Sequence, residues 1–175
     1  GRTQATYIVY SDQAEWGSIL ALHDSTAETG LEAFLKPSDN LIELYHVFEG
    51  NYSLLRAITI PSIPYGTSFS LKLCWTNAVG ILDIKLWYAV GEAPFERVIP
   101  DDGTLDTSGV FTYEPEPGQE LLAGSPGACM FGDRSGSAMR MLSWEAGDSC
   151  DEDEVPCEGD PSNPYPWDPP PGDPI

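Results

Sequence analysis

The stretch SFSLKLCW, residues 68–75, alternates apolar and polar side chains and decides the fold class. One face would carry Phe69, Leu71, Leu73 and Trp75. The opposite face would carry two serines, a lysine and a cysteine. A period of two is typical of a β-strand in a sheet with one buried face. The sequence therefore predicts a strand here whose apolar face packs on a core.

A second alternating stretch, ILDIKLWYAV at residues 81–90, follows after the short link TNAVG. A link of this length joins adjacent antiparallel strands, so we expect a β-hairpin. The stretches LIELYHVF and SLLRAITI predict a second hairpin around EGNY. Shorter candidate strands are TYIVY (6–10), FERVI (95–99), GVFTY (109–113), ACMF (128–131) and AMRMLSW (138–144). Many short strands punctuated by glycine and proline predict an all-β antiparallel sandwich or jelly roll.

Residues 12–36 differ from the rest, because they are rich in alanine, glutamate and leucine. Two residue pairs have the spacing of a helix capping box, namely Asp12 with Glu15 and Ser25 with Glu28. An apolar stripe at helical spacing follows, formed by Leu31, Phe34 and Leu35. The segment predicts a short helical insertion in the sandwich, with a strand over SILAL as the alternative.

Three parts of the chain are distinguished by composition. Residues 1–11 form an N-terminal extended strand that could act as a donor or linking strand. Residues 12–145 form the β-sandwich domain, and residues 146–175 form an acidic, Pro-rich C-terminal extension. The chain begins Gly1-Arg2, which we interpret as a mature product whose leader was removed.

The charge balance excludes several classes of partner. The 175 residues carry 28 acids against 8 lysines and arginines, a formal net charge of −20. Nucleic acid and anionic membrane surfaces are poor partners, because phosphate groups are bound by Lys and Arg. Insertion into a membrane is not expected, since no run approaches the roughly 18–20 apolar residues that a spanning helix requires.

Four cysteines predict two disulfides, and they are Cys74, Cys129, Cys150 and Cys157. A zinc site is disfavoured because there is no CxxC motif and both histidines are far from every cysteine in the sequence. A local Cys150–Cys157 bridge would leave Cys74 to pair with Cys129 across the fold. Disulfides imply an oxidising compartment, so we expect a secreted or cell-surface protein.

The sequon Asn51-Tyr52-Ser53 follows the turn signal Glu49-Gly50. A glycan on Asn51 would therefore be exposed, in keeping with the expected compartment.

No enzymatic constellation stands out, and we predict that the protein is not an enzyme. His46 lies in a strand pattern on an apolar face, which favours a packed core histidine. Calcium is the one cofactor worth weighing, with Asp101, Asp102 and Asp106 in DDGTLD as weak candidate ligands. The full EF-hand spacing is absent, so solvated acidic turns are the main interpretation and no cofactor is expected.

The two ends of the chain suggest self-assembly. The N-terminal run offers a strand-like segment, and the tail NPYPWDPPPGDPI (163–175) offers aromatic and proline rings to a groove. The predicted assembly residues are Tyr7, Ile8, Val9, Tyr10, Tyr165, Trp167, Pro169, Pro170 and Pro171. Our leading hypothesis is an extracellular structural subunit that polymerises with copies of itself into a filament or surface layer.

The alternative hypothesis is a secreted carbohydrate-binding or adhesion module. Trp87 shares the less apolar face of its strand with Asp83 and Lys85 and could form an exposed platform for glycans. The competing interpretation is that a second sheet or the 12–36 segment covers that face.

Overall fold

The computed structural model describes residues 1–10, 16–78, 80–98, 110–121, 124–131 and 138–147. The weak calcium candidates Asp101, Asp102 and Asp106 lie outside these residues. So do Cys150, Cys157 and the whole proline-rich tail with Tyr165, Trp167 and Pro169 to Pro171.

The described residues form eleven β-strands and one short 3₁₀ turn at Pro37–Asp39. The first six strands are β1 Arg2–Val9, β2 Trp16–Asp24, β3 Thr29–Lys36, β4 Leu41–Phe48, β5 Asn51–Thr59 and β6 Ser68–Ala78. The other five are β7 Ile81–Val90, β8 Glu96–Arg97, β9 Phe111–Tyr113, β10 Ser125–Phe131 and β11 Met139–Gly147.

The strands form two antiparallel sheets that share one core. The first sheet has the order β11-β1-β6-β7-β8, and β9 also pairs with β7. The second sheet has the order β10-β2-β3-β4-β5. The predicted all-β antiparallel sandwich is therefore confirmed.

The β6–β7 hairpin supplies the centre of the core, as its alternation predicts. Phe69, Leu71 and Leu73 from β6 and Leu82 and Ile84 from β7 are buried. Their partners across the sandwich come from β2, β3 and β4 and include Ile19, Leu31, Leu35, Ile42 and Leu44. One buried hydrogen bond also links the sheets, because the Tyr7 hydroxyl donates to the Ser18 carbonyl at 2.6 Å.

The predicted helical insertion over 12–36 is wrong, and the strand alternative for SILAL is confirmed. Residues 16–24 and 29–36 are the antiparallel strands β2 and β3. The Asp24 carboxylate accepts hydrogen bonds from the backbone N–H groups of Thr26 and Ala27, at 2.8 and 3.1 Å. The predicted capping pair Ser25 with Glu28 lies in this turn between strands, so its spacing does not mark the start of a helix. The other capping pair, Asp12 with Glu15, lies outside the described residues.

The N-terminal strand is a central strand of its own sheet, so the prediction of a free donor strand is wrong. β1 pairs with β11 on one side and with β6 on the other. Tyr7 and Val9 are fully buried in the core and Ile8 is half-buried, so of the four predicted N-terminal assembly residues only Tyr10 is exposed. The strand carries the alternating apolar residues that the core needs, which explains its place. Its partner β11 continues to Gly147, two residues past the predicted end of the domain.

Within the described ranges, no helix has the length and apolar character that crossing a membrane would demand.

Candidate functional site

The outer face of the second sheet carries a cluster of aromatic side chains. In β3, Leu31, Ala33 and Leu35 point into the core, so Glu32, Phe34 and Lys36 must point outward. The same alternation turns Glu43 and Tyr45 of β4 outward. We use the term aromatic face for the outward residues of this sheet, namely Trp16, Ser18, Glu32, Phe34, Lys36, Glu43, Tyr45, Tyr52 and Leu54.

Four aromatic rings on neighbouring strands form one contiguous cluster. Phe34 lies at the centre, with ring centroids 5.0 Å from Trp16, 5.5 Å from Tyr45 and 6.0 Å from Tyr52. Tyr45 and Tyr52 are 5.8 Å apart, and their rings meet edge to face at 78°. Edge-to-face contacts of this kind are favourable and hold the rings in fixed orientations.

Exposure increases from the centre of the aromatic face toward its edge. Phe34 is buried, Trp16 and Tyr45 are half-buried, and Tyr52 is 54% exposed. Leu54, the next outward residue of β5, is 53% exposed. A β-bulge between Leu44 and Tyr45 places Tyr45 opposite Leu54. The result is an exposed apolar surface that rests on a rigid aromatic base.

A charged and hydrogen-bonded group borders these rings. The Glu43 carboxylate forms an ion pair with the Lys36 ammonium, and it accepts a hydrogen bond from the Tyr45 hydroxyl at 2.8 Å. Partial burial works to raise the pKa of Glu43, but the hydrogen bonds from Lys36 and Tyr45 outweigh it and lower that pKa. Burial, with the hydrogen bond to Glu43 and its charge, raises the pKa of Tyr45 to about 12. At neutral pH the carboxylate is therefore ionised and the hydroxyl keeps its proton.

A second carboxylate lies on the same face. Glu32 is directly opposite Tyr45 in the β3–β4 pairing, and it accepts a hydrogen bond from the Ser18 hydroxyl at 2.5 Å. Both Ser18 and Glu32 are buried. The aromatic face thus combines apolar ring surface with two carboxylates, an ammonium and hydroxyl groups. The polar groups can form hydrogen bonds with a ligand whose apolar side stacks on the rings.

The sequence interpretation of Trp87 as an exposed platform is wrong. Trp87 is 3% exposed, and its ring lies 5.0 Å from the Lys72 ammonium and 5.2 Å from the Arg97 guanidinium. Lys72 also lies over the Phe95 ring at 4.5 Å. These cation–π contacts stabilise the first sheet, so Trp87 is a structural residue rather than a contact surface.

His46 is a packed core histidine, as the strand pattern indicates. It is buried, and its Nδ1 lies 2.9 Å from the Tyr113 hydroxyl. Burial lowers the pKa of His46, and the backbone of Gln119 opposes this effect only in part. The imidazole is therefore neutral at pH 7 and has a structural role.

The remaining predicted site residues are dispersed. Cys74 is disulfide-bonded and buried on the outer face of the first sheet. Cys129 belongs to β10 of the second sheet, and the Cys74–Cys129 pairing stays a prediction. Asn51 is exposed at the first position of β5. Among the residues that the structure describes, no group of three or more His, Cys, Asp or Glu side chains is arranged to hold a metal ion.

Two surface depressions lie away from the aromatic face. One, of about 370 Å³, is lined by Gly80, Ile81, Pro115, Pro117 and the three glutamates Glu114, Glu116 and Glu120. The other, of about 350 Å³, lies beside the Cys74 disulfide and Trp75. Both are at the small end of the range for ligand pockets. Among the described lining residues, the first depression has no aromatic side chain and the second has one, Trp75, so the four contacting rings of the aromatic face make it the better candidate site.

Comparison with known proteins identifies no family for this chain. No protein family model matches it, and no curated protein matches it. The carbohydrate-binding module CBM66 from Bacillus subtilis is similar in fold with a TM-score of 0.44 and 12% identity, over 73% of this chain and 62% of that one. A GH131 β-glucanase catalytic domain from Podospora anserina is similar with a TM-score of 0.33 and 14% identity, over 85% of this chain and 60% of that one. The chain thus spans less than two thirds of either structure, and likeness at this level does not indicate what it binds.

Proposed function

We propose that this protein binds neutral carbohydrate through the aromatic face, without hydrolysing it. The observation that carries the proposal is the exposed Tyr52–Leu54 surface, which rests on the rings of Phe34 and Tyr45. Exposed apolar surface next to polar groups of fixed geometry is typical of a ligand-contact surface.

Sugar rings suit such a site because each ring has an apolar side and a polar edge. The C–H groups of a pyranose form an apolar patch that stacks on an aromatic ring, while its hydroxyls point sideways and seek hydrogen bonds. Tyr52 supplies exposed ring surface beside Leu54. Tyr45 and Phe34 hold that ring from below, so little side-chain entropy is lost when a sugar binds.

Polar groups at the border can serve the sugar hydroxyls. The Glu43 carboxylate accepts hydrogen bonds, and the Lys36 ammonium donates them. The ion pair between the two, together with the bond from Tyr45, keeps both groups in place before the ligand arrives. Groups held in this way give orientation and specificity rather than large affinity.

The net charge selects among carbohydrates. At −20 the chain repels anionic polysaccharides such as polyuronates or sulfated glycans. Neutral polymers carry no such penalty, so the ligand class we infer is a neutral polysaccharide with exposed pyranose faces.

Binding without catalysis fits the state of the Glu43 carboxylate. A glycoside hydrolase needs one carboxylic acid whose raised pKa keeps it protonated. Glu43 has a lowered pKa, because its hydrogen bonds from Lys36 and Tyr45 outweigh the opposing effect of its partial burial. The ionised carboxylate is therefore suited to accept hydrogen bonds rather than to donate a proton.

Secretion is part of the proposal, since the Cys74 disulfide requires an oxidising compartment. The hypothesis of self-assembly into a filament was based on both ends of the chain. The N-terminal strand no longer supports it, because β1 is enclosed in its own sheet. It stays a prediction that rests on the C-terminal tail alone.

Affinity electrophoresis tests the ligand class. Native gels would contain neutral polysaccharides (a β-glucan, a xylan, a mannan) or anionic ones (polygalacturonate, alginate). We expect retardation in at least one neutral gel and none in the anionic gels. A parallel assay for new reducing ends should stay at the level of the boiled control. Equal mobility in every gel, or retardation in the anionic gels alone, would contradict the proposal.

A further inference from the structure

The β4–β5 turn presents Asn51 at the surface. Glu49 and Gly50 occupy the turn with φ of 49° and 72°, the two positive values that a tight type I′ hairpin requires. Asn51 follows at once as the first residue of β5, opposite Phe48 in the pairing. Asn51-Tyr52-Ser53 is the one Asn-x-Ser/Thr sequon in the sequence.

The alternation of β5 separates Asn51 from the aromatic face. The Tyr52 ring contacts Phe34 and Tyr45, so it lies on the outer side of the sheet. Successive side chains of a strand point to opposite sides, which turns Asn51 and Ser53 away from that face. A group attached to Asn51 would therefore leave the stacking surface open.

β5 is also a sheet edge in the described part of the chain. It pairs with β4 on one side, and no other described strand pairs with it. Its first four residues, 51–54, are all exposed, and two of them are Tyr52 and Leu54. An edge strand of this length with apolar side chains invites pairing with another chain unless it is protected.

We propose that Asn51 carries an N-linked glycan, which shields the open edge of β5 and leaves the aromatic face free. Only the last part of this statement rests on the proposed carbohydrate binding. The sugar donor is a lipid-pyrophosphate oligosaccharide. The Asn51 amide nitrogen bonds to C1 of its reducing-end sugar, the lipid pyrophosphate leaves, and one amide proton is released.

The turn accommodates this chemistry. The Asn51 amide donates to the Glu49 carbonyl at 3.1 Å and to the Phe48 carbonyl at 3.4 Å. A glycosylated nitrogen keeps one hydrogen, so the shorter bond to Glu49 can persist. Glycosylation acts on the nascent chain, so the folded protein must only leave room. The neighbours Glu49, Gly50 and Ser53 are all exposed and provide it.

The first experiment determines whether the site is used. The chain would be secreted from eukaryotic cells as wild type, Ser53→Thr and Ser53→Ala, and intact masses would be measured before and after treatment with an endoglycosidase. We expect one glycan on wild type and S53T, which the enzyme removes, and none on S53A, in which Asn51 itself is retained. Secreted wild type at its unmodified mass would overturn the proposal.

The second experiment examines shielding by sedimentation velocity over a range of concentrations. We expect glycosylated wild type to stay monomeric, whereas S53A should associate reversibly, and the added substitution Leu54→Lys should restore the S53A monomer. Identical sedimentation of wild type and S53A would overturn the shielding role.

A binding assay on the same two proteins separates the two proposals. Affinities of wild type and S53A for a neutral polysaccharide should agree within about twofold. Loss of binding in the glycosylated form alone would contradict the position that we infer for the glycan. Loss in both forms would contradict the carbohydrate-binding proposal and leave the mass result at Asn51 standing.

Discussion

The outer faces of the two sheets contain similar residue types and differ in what is exposed. On the first sheet, Trp87 and Lys72 are buried and contact each other. On the second sheet, Tyr52 and Leu54 are more than half exposed above buried Phe34. Aromatic and charged residues therefore stabilise one face and offer a contact surface on the other. Exposure distinguishes the two roles, and residue type does not.

The largest effect should come from Trp87. Replacing it with alanine removes a buried ring between two cations, and we expect the free energy of unfolding to fall by about 3–5 kcal/mol. Tyr52→Ala should cost about 1 kcal/mol or less, because that ring is exposed. Urea denaturation followed by circular dichroism measures both values. Equal losses would remove the distinction between the two faces.

The next test concerns buried His46, which lies inside the sandwich rather than on either outer face. Tyr113→Phe removes the hydroxyl partner of buried His46 and should cost about 1–2 kcal/mol. Because burial lowers the pKa of His46, the unfolded state binds the proton first as the pH falls below 6.5. The contribution of neutral His46 to the free energy of unfolding is then fully present above pH 6.5 and decreases below it.

Unfolding free energies of wild type and His46→Gln at pH 7.5 and 5.5 measure this dependence. The decrease toward pH 5.5 should be smaller in the variant, which has no imidazole to titrate. An equal decrease in both proteins would assign the effect to other groups.

Glu43 should show a smaller effect on stability. Partial burial disfavours its charge, but the hydrogen bonds from Lys36 and Tyr45 lower the folded-state pKa below 4.5. The contribution of ionised Glu43 to the free energy of unfolding is therefore present above pH 4.5, and it is lost as the pH falls through the folded-state pKa. Glu43→Gln should cost less than about 1 kcal/mol at pH 7, the usual range for an ion pair near the surface.

The matched control for Glu43 is Glu96→Gln, in which the carboxylate bonded to the Tyr88 hydroxyl on the first sheet is removed. Carbohydrate affinity should fall several-fold in E43Q and stay unchanged in E96Q. A loss of affinity in both variants would indicate a nonspecific charge effect.

Much of the fold follows from alternation that is visible in the sequence. The hairpin over residues 68–90 is predicted with its inward residues, because a period of two fixes the buried side of each strand. Residues 12–36 mislead because Ser25 and Glu28, which have the spacing of a capping box, lie in a turn that the Asp24 carboxylate closes between two strands. Local chemistry at a turn does not reveal whether a strand or a helix adjoins it.

The candidate site could not be predicted in the same way. Alternation correctly separates Trp87 from the core side of β7, but it cannot show whether that outer face is covered. Phe34, Tyr45 and Tyr52 come from three strands, and only the pairing of β3, β4 and β5 brings them together. The position of β1 inside the first sheet likewise depends on partners far away in the chain.

The central claim is that the exposed aromatic surface, rather than exposed tyrosine in general, binds neutral carbohydrate. Isothermal titration of an oligosaccharide from the retarding polysaccharide into Tyr52→Ala and Tyr65→Ala tests it directly. Tyr65 is the matched control, since it is 62% exposed in the loop after β5, where the next residue, Gly66, donates its backbone N–H to the Val9 carbonyl of the first sheet. We predict a loss of affinity of about tenfold or more in Y52A, or about 1.4 kcal/mol, and wild-type affinity in Y65A. Wild-type affinity in Y52A would contradict the account.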